Sequence, residues 1–240
     1  MIWPNGKKAA FCLTVDDVHP ESSKDEEGLD FGGDMDEGNF RFLNELVKRY
    51  PYLKMTLFVP TSCVEKSKYK NWKLLSKLEP FVVPLARGFL KKTNNKKVIE
   101  VANHIRHYPN ERFSIERYPK WCNWLASKIA SVNFEVAPHG WRHYKVSSPQ
   151  EFIKPSYSPY VALEIMEYEL NRCKISYVKG FRPPGWGLSY ELLEELDVRG
   201  YKFLAGFSDI DYEEYEYLPY RLEPYSFIEL TANCCMKNSP

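Results

Sequence analysis

The sequence predicts an α/β fold with a mainly parallel sheet, closed into an incomplete or distorted (β/α) barrel of about seven strands. Three observations lead there. Apolar runs of strand length alternate with segments of helical periodicity. The runs show little two-residue alternation, as expected of strands buried on both faces. And about seven of them fall in one chain, more than a small doubly wound sheet needs.

The strand runs are residues 9–15, 55–59, 81–85, 134–137, 178–181, 203–207 and 227–230. Between them, Asp36 is placed to cap a helix that carries Phe40, Leu43, Leu46 and Val47 on one stripe. Trp121, Trp124, Leu125, Ile129 and Val132 make a second stripe, with Pro119 near its start. Residues 161–173 form a third, with Leu163, Met166, Glu167 and Leu170 at three- and four-residue steps. Ser189 caps a fourth, through Leu192, Leu193 and Leu196, which stops at Gly200. Residues 21–37 are acidic and glycine-containing and read as a long loop after the first strand. Residues 91–116 are polar and basic and break the rhythm, so they read as an insertion of helix and loop.

With 240 residues and 44% hydrophobic composition, residues 1–240 suit one domain around one core. The 33 basic and 32 acidic residues leave a net charge of +1, which gives no electrostatic basis for a nucleic-acid partner. No run of about 18 apolar residues occurs, so no membrane span is expected. The first apolar run is broken by Thr14 and ends in Asp16-Asp17, so it reads as a strand and not a signal peptide; a cytoplasmic location follows as the expectation. The six cysteines are expected to be reduced, and none has C-x-x-C spacing. The 17 Tyr, 14 Phe and 6 Trp suit either an aromatic core or a cleft that stacks on sugar rings.

Three clusters carry chemistry, each at the end of a strand. In Thr14-Val15-Asp16-Asp17-Val18-His19, adjacent carboxylates need a cation to offset their burial, and both can face one site only if the chain turns there. In His139-Gly140-Trp141-Arg142-His143, two histidines four apart share one face of a helical turn and can chelate one ion. In Gly180-Phe181-Arg182-Pro183-Pro184-Gly185-Trp186-Gly187, the arginine can pair with and orient a carboxylate. There the prolines fix a turn, Gly185 lets a ligand approach the main-chain N–H, and Trp186 makes a wall.

In this order, the clusters resemble the motifs T-F-D-D-G, H-[ST]-x-x-H and R-x-P-x-G of the polysaccharide deacetylase (NodB-homology, carbohydrate esterase family 4) superfamily. The likeness spans residues 11 to about 187. It implies a metal-dependent hydrolase that removes an N-acetyl group from a sugar or glycan precursor. It further implies Asp17, His139 and His143 as ligands of one divalent ion, zinc by preference, and Asp16 as general base, held in place by Arg182. Pro184, Gly185 and Trp186 are implied on the substrate side, with a main-chain N–H near Gly185 for the oxyanion.

Departures accompany the likeness. Val18 stands where the first motif has glycine, and Gly140-Trp141 replaces the small hydroxyl residue of the second. The family's late-strand histidine, a general acid, is missing: the strand reads Ile228-Glu229-Leu230-Thr231-Ala232-Asn233, and no histidine follows His143. His19 and Glu229 are the candidates to replace it. Residues 208–212 loosely resemble the family's acidic fourth motif. Two other functions remain open: a catalytically altered, metal-containing sugar-binding barrel, or a glycosyltransferase using a D-x-D at Asp34 and Asp36 or at Asp209 and Asp211.

Overall fold

The computed structural model describes residues 13–20, 35–36, 38–64, 111–144, 158–206, 220–221 and 223–230. In chain order these give β1 (Leu13–Val15), α1 (Gly38–Arg49), β2 (Met55–Val59), β3 (Ser62–Val64) and β4 (Glu111–Ser114). There follow α2 (Pro119–Ile129), β5 (Phe134–Pro138), β6 (Arg142–Tyr144), α3 (Pro159–Arg172) and β7 (Gly180–Phe181). The last are α4 (Tyr190–Val198), β8 (Phe203–Leu204), β9 (Tyr220–Arg221) and β10 (Ile228–Glu229). The chain is therefore mixed α/β, with small, mostly parallel sheets.

β2 lies between β1 and β5, parallel to both, with Leu57 opposite Val15 and Val136. β7 continues the series: Val178 N–H donates to Val136 O at 2.8 Å and Arg182 N–H to Pro138 O at 3.2 Å. Next come β8 and then β10, both parallel, with β9 antiparallel at the edge. Adjacent strands lie 4.7–4.9 Å apart, so the three steps from β1 to β7 would span about 14 Å in a flat sheet. The Arg182 side chain nevertheless reaches Asp16 and Thr14. The strand array is strongly curled, with these residues on its concave face.

Alternation decides which residues face which way. Val15, Met55, Leu57, Val59, Phe134, Val136, Phe181 and Leu204 point out to the helices and join the main core. They meet Phe40 and Leu43 of α1, Trp121 and Leu125 of α2, Ile165 and Leu170 of α3, and Leu192 and Leu196 of α4. Burying each such side chain contributes roughly 1.5–3 kcal/mol before chain entropy is set against it. On the concave face, Phe58, Ala137 and Ala205 form a smaller cluster. Gly180 has no room for a side chain, because a Cβ there would fall inside the Phe203 ring.

The helices begin and end much as their sequences dictate. Ser189 Oγ accepts from Leu192 N–H at 3.2 Å, and Gly200 ends α4 at φ 71°. Ser158 caps α3 with Pro159 at its first position. Asp36, the expected cap of α1, has a carboxylate that accepts from Asn44 (2.9 Å) and from the Trp124 indole (3.0 Å) and pairs with Lys128. It thus ties α1 to α2. The end of the expected helix-and-loop insertion is not loop: residues 111–114 form β4, where Phe113 packs inward and pairs antiparallel with Cys63. Residues 91–110, the run at 81–85 and the first part of the run at 9–15 lie outside the described residues.

Candidate metal centre

The concave face ends in a second small sheet, β4-β3-β6, set over the C-terminal ends of β1, β2 and β5. The site forms where these layers meet. Asp17 takes a left-handed conformation (φ 56°), one of the few such non-glycine positions among the described residues. This is the turn that adjacent carboxylates need to face one site. It also accounts for Val18 in place of glycine. Past the kink, Val18 N–H donates to Phe58 O at 3.2 Å, and its side chain is buried in the core.

Asp17 meets both imidazoles. Its Oδ1 lies 3.1 Å from His143 Nε2 and 3.4 Å from His139 Nε2. One ligand atom from each of the three lies within 4.8 Å of the others. His139 Nδ1 is 2.8 Å from the Arg182 carbonyl, which can only accept, so Nδ1 carries the hydrogen and Nε2 is the nitrogen left able to coordinate an ion.

The two histidines do not share a helical turn, contrary to the sequence expectation. His139 follows β5, Gly140 turns the chain at φ 86°, and His143 lies within β6, paired with Cys63 of β3. The carbonyls of Gly140 and Trp141 accept from Thr61 and Ser62 N–H instead of from residues further along a helix.

Beside this trio, Arg182 Nη1 donates to Asp16 Oδ1 at 2.6 Å and to Thr14 Oγ1 at 3.0 Å, while its Nε donates to Ala205 O at 3.1 Å. Its guanidinium lies 4.4 Å from the Phe58 ring centroid. Buried by this cage, Arg182 serves the site twice: its side chain orients Asp16 and its carbonyl orients His139. Pro184–Trp186 form a 3-10 turn next to the arginine, in which Pro184 is buried and Gly185, at φ 57°, is exposed.

The electrostatics favour positive charge at the centre. Burial alone would raise the Asp17 carboxyl, but the imidazoles of His143, His139 and His19 outweigh it and hold the group well below the usual carboxylate range. Burial likewise pulls His139 down, yet its bond to Asp17 and the charges of Asp17 and Asp16 raise it above its ordinary value. His143 is lowered, by burial first and by the neighbouring His139 and His19 after it. Two imidazole nitrogens and a carboxylate are donors that suit zinc and related divalent ions, with positions left open for other ligands. The group Asp17, His139 and His143 can hold a metal ion.

The two general-acid candidates fall on different sides. His19 is buried on the metal side, stacked on Phe113 at 4.6 Å between ring centroids. Glu229 pairs in register with Leu204, so alternation places it on the helix-covered face, away from Arg182 and Ala205. Its Oε1 has no hydrogen-bond partner among the described residues and occupies the place that a Cβ on Gly206 would need.

Burial pushes the Glu229 carboxyl up to about 7 from an ordinary 4.5. The folded state thus holds this proton more tightly than the unfolded state does. Its stabilising effect is complete below about pH 4.5 and is lost as pH rises through 7. At ~1.4 kcal/mol per pH unit the loss is of order 1–3 kcal/mol. Glu229→Gln keeps the shape and removes the titration. Between pH 5 and pH 8 its melting temperature is expected to fall less than the wild type's by several degrees, at about 2–4 °C per kcal/mol.

The D-x-D possibility loses its described member, since Asp36 is committed to α2; Asp34, Asp209 and Asp211 lie outside the described residues. So do residues 21–34 and the loosely motif-like 208–212. Among the described residues, no helix is long and apolar enough to cross a membrane. Thr61, Ser62, Ala205 and Phe113 shape the site without having been singled out in the sequence. The signal for the first two was a pair of small hydroxyl residues just past the Pro60 that ends a strand run. Comparison of the chain with protein-family models, with curated proteins and with solved structures finds no match.

Proposed function

We propose that this chain is a metal-dependent hydrolase of the polysaccharide deacetylase kind, removing an N-acetyl group from a sugar or glycan precursor. One observation carries the reading: Asp17, His139 and His143 converge within 4.8 Å, beside an Asp16 held by Arg182 at 2.6 Å. The strands that deliver them we read as an incomplete (β/α) barrel, because the reach of Arg182 from β7 to β1 requires strong curvature.

In this reading Asp17, His139 and His143 would hold one divalent ion, zinc by its donor set. When bound, such an ion supplies Lewis acidity and lowers the pKa of water. The chain's own residues do the rest. Asp16 takes the proton of the attacking water at the oxygen not bound to Arg182, while Arg182 and Thr14 fix the orientation of that carboxylate. The main chain at Gly185 offers an N–H to the developing oxyanion, and Pro184 and Trp186 belong to the substrate side. The acyl C–N bond breaks to leave acetate and a free amine. Of the two candidates to serve that amine, the reading keeps His19 and drops Glu229, which lies on the other face of the sheet.

The lack of any histidine after His143 favours a second reading, a barrel that binds metal and sugar without deacetylating. One experiment separates them. Purified protein is assayed for metal by elemental analysis, then for acetate release from N-acetylglucosamine and its oligomers. About one zinc per chain with acetate and amine formed in equal amounts supports the hydrolase. Metal with sugar binding and no acetate leaves the second reading, and no uptake of any divalent ion overturns both.

A further inference from the structure

The loop that carries both imidazoles is held from across the site. Gly140 has no side chain and a left-handed φ of 86°, so its peptide plane is the freest joint between His139 and His143. Trp141 is buried, with the Arg142 guanidinium 4.0 Å from its ring centroid. The loop's carbonyls turn to Thr61 and Ser62, where the chain enters β3. Thr61 N–H donates to Gly140 O at 3.2 Å and Ser62 N–H to Trp141 O at 2.7 Å. Both hydroxyls then converge on the same Trp141 carbonyl, Ser62 Oγ at 3.0 Å and Thr61 Oγ1 at 3.4 Å.

Thr61 and Ser62 are both 0% exposed. A buried hydroxyl is costly unless it finds a partner, and two such groups aimed at one carbonyl form a built feature and not a surface accident. In sequence, that carbonyl belongs to the residue midway between the two histidines, whose ring centroids are 5.2 Å apart. Rotating the peptide plane there would change this spacing directly.

We propose that Thr61 and Ser62 are positioning residues for the metal ligands, their hydroxyls locking the Trp141 carbonyl and through it the spacing of His139 and His143. The inference rests on the metal reading above. It assigns to the neighbouring strand the clamping task for which the loop itself, with Gly140-Trp141, has no hydroxyl. Preorganised ligands lose less freedom on binding, so the clamp acts on affinity for the ion.

The test uses Ser62→Ala, and Thr61→Val with Ser62→Ala together. Both leave the two backbone bonds in place, and valine keeps the shape of threonine. The dissociation constant for zinc is measured by competition with a chromogenic chelator, beside the melting temperature of the metal-stripped protein. The single variant is expected to bind zinc about 10-fold more weakly and the pair ~10–100-fold, while the metal-stripped melting temperature holds. Ser62→Thr, which restores a hydroxyl, is expected to recover wild-type affinity. An unchanged dissociation constant in the folded variants overturns the proposal and leaves the metal reading standing. So does a loss that tracks a lower metal-stripped melting temperature without recovery in Ser62→Thr, the mark of a merely structural role. If the pair does not fold, Ser62→Ala alone decides. A wild type that takes up no divalent ion fells the metal reading and the clamp with it.

Discussion

Replacing His139 by alanine is expected to reduce zinc affinity more than 100-fold, beyond the range typical of outer-shell changes, and to abolish acetate release. The ring is buried, fixed at Nδ1 by the Arg182 carbonyl, and presents Nε2 to Asp17. His143→Ala should behave alike in metal content but more mildly in stability, since the His143 side chain is 20% exposed against 4% for His139. Asp17→Asn keeps the shape while removing the charge that draws a cation to the centre. Elemental analysis and the melting temperature of each variant, read with and without added zinc, check all three. Retention of one equivalent of zinc in both histidine variants would sink the assignment of the ligands.

Asp16→Asn is expected to separate chemistry from binding. The Asp16 carboxylate is held by Arg182 and is not one of the three ligand candidates, so zinc content should stay near wild type while kcat falls by about 10²–10⁴, the range for a lost general base. Asparagine retains an oxygen for the guanidinium, so the fold should survive. Arg182→Lys makes a different cut. Lysine keeps the charge but cannot donate at once to Asp16, Thr14 and Ala205 O as the guanidinium does. Its main-chain carbonyl still fixes His139, so the expected signature is lowered kcat with zinc retained. If Asp16→Asn leaves kcat within about twofold, Asp16 is not the base.

Much of this was legible in the sequence, for identifiable reasons. The short apolar runs expected as strands at 55–59 and 134–137 became β2 and β5, the second one residue longer than expected. α2 and α4 announced themselves through Pro119 and through Ser189 with Gly200, and α3 through its apolar stripe, while the Ser158 cap and Pro159 at its start went unread. The three strand-end clusters stand at the described site because strand ends of a parallel array point the same way. What the sequence hid depends on pairing at a distance. β3, β4 and β6 are three or four residues each, and they exist only because Ser62, Ser114 and Arg142 align across the site. The four-residue spacing of the histidines suggested a helix, since spacing says nothing of Gly140 reversing the chain. Alternation along β10 could be counted, but which face Glu229 takes follows only from its register with Leu204.

The curl that brings β7 back to β1 has a consequence for how the protein folds. Arg182 and Asp16 are 166 positions apart, and Arg182 and Thr14 are 168 apart. Contacts so remote must close a very long loop before they return any energy, and such closure comes late on the route to the native state. No short fragment of this chain contains the pieces of the centre. Uptake of an ion there would report that nearly the whole array has assembled, and the ion would act as a ligand of the native state alone. Its concentration would then set the unfolding midpoint, making zinc supply a thermodynamic control on how much of the chain is folded.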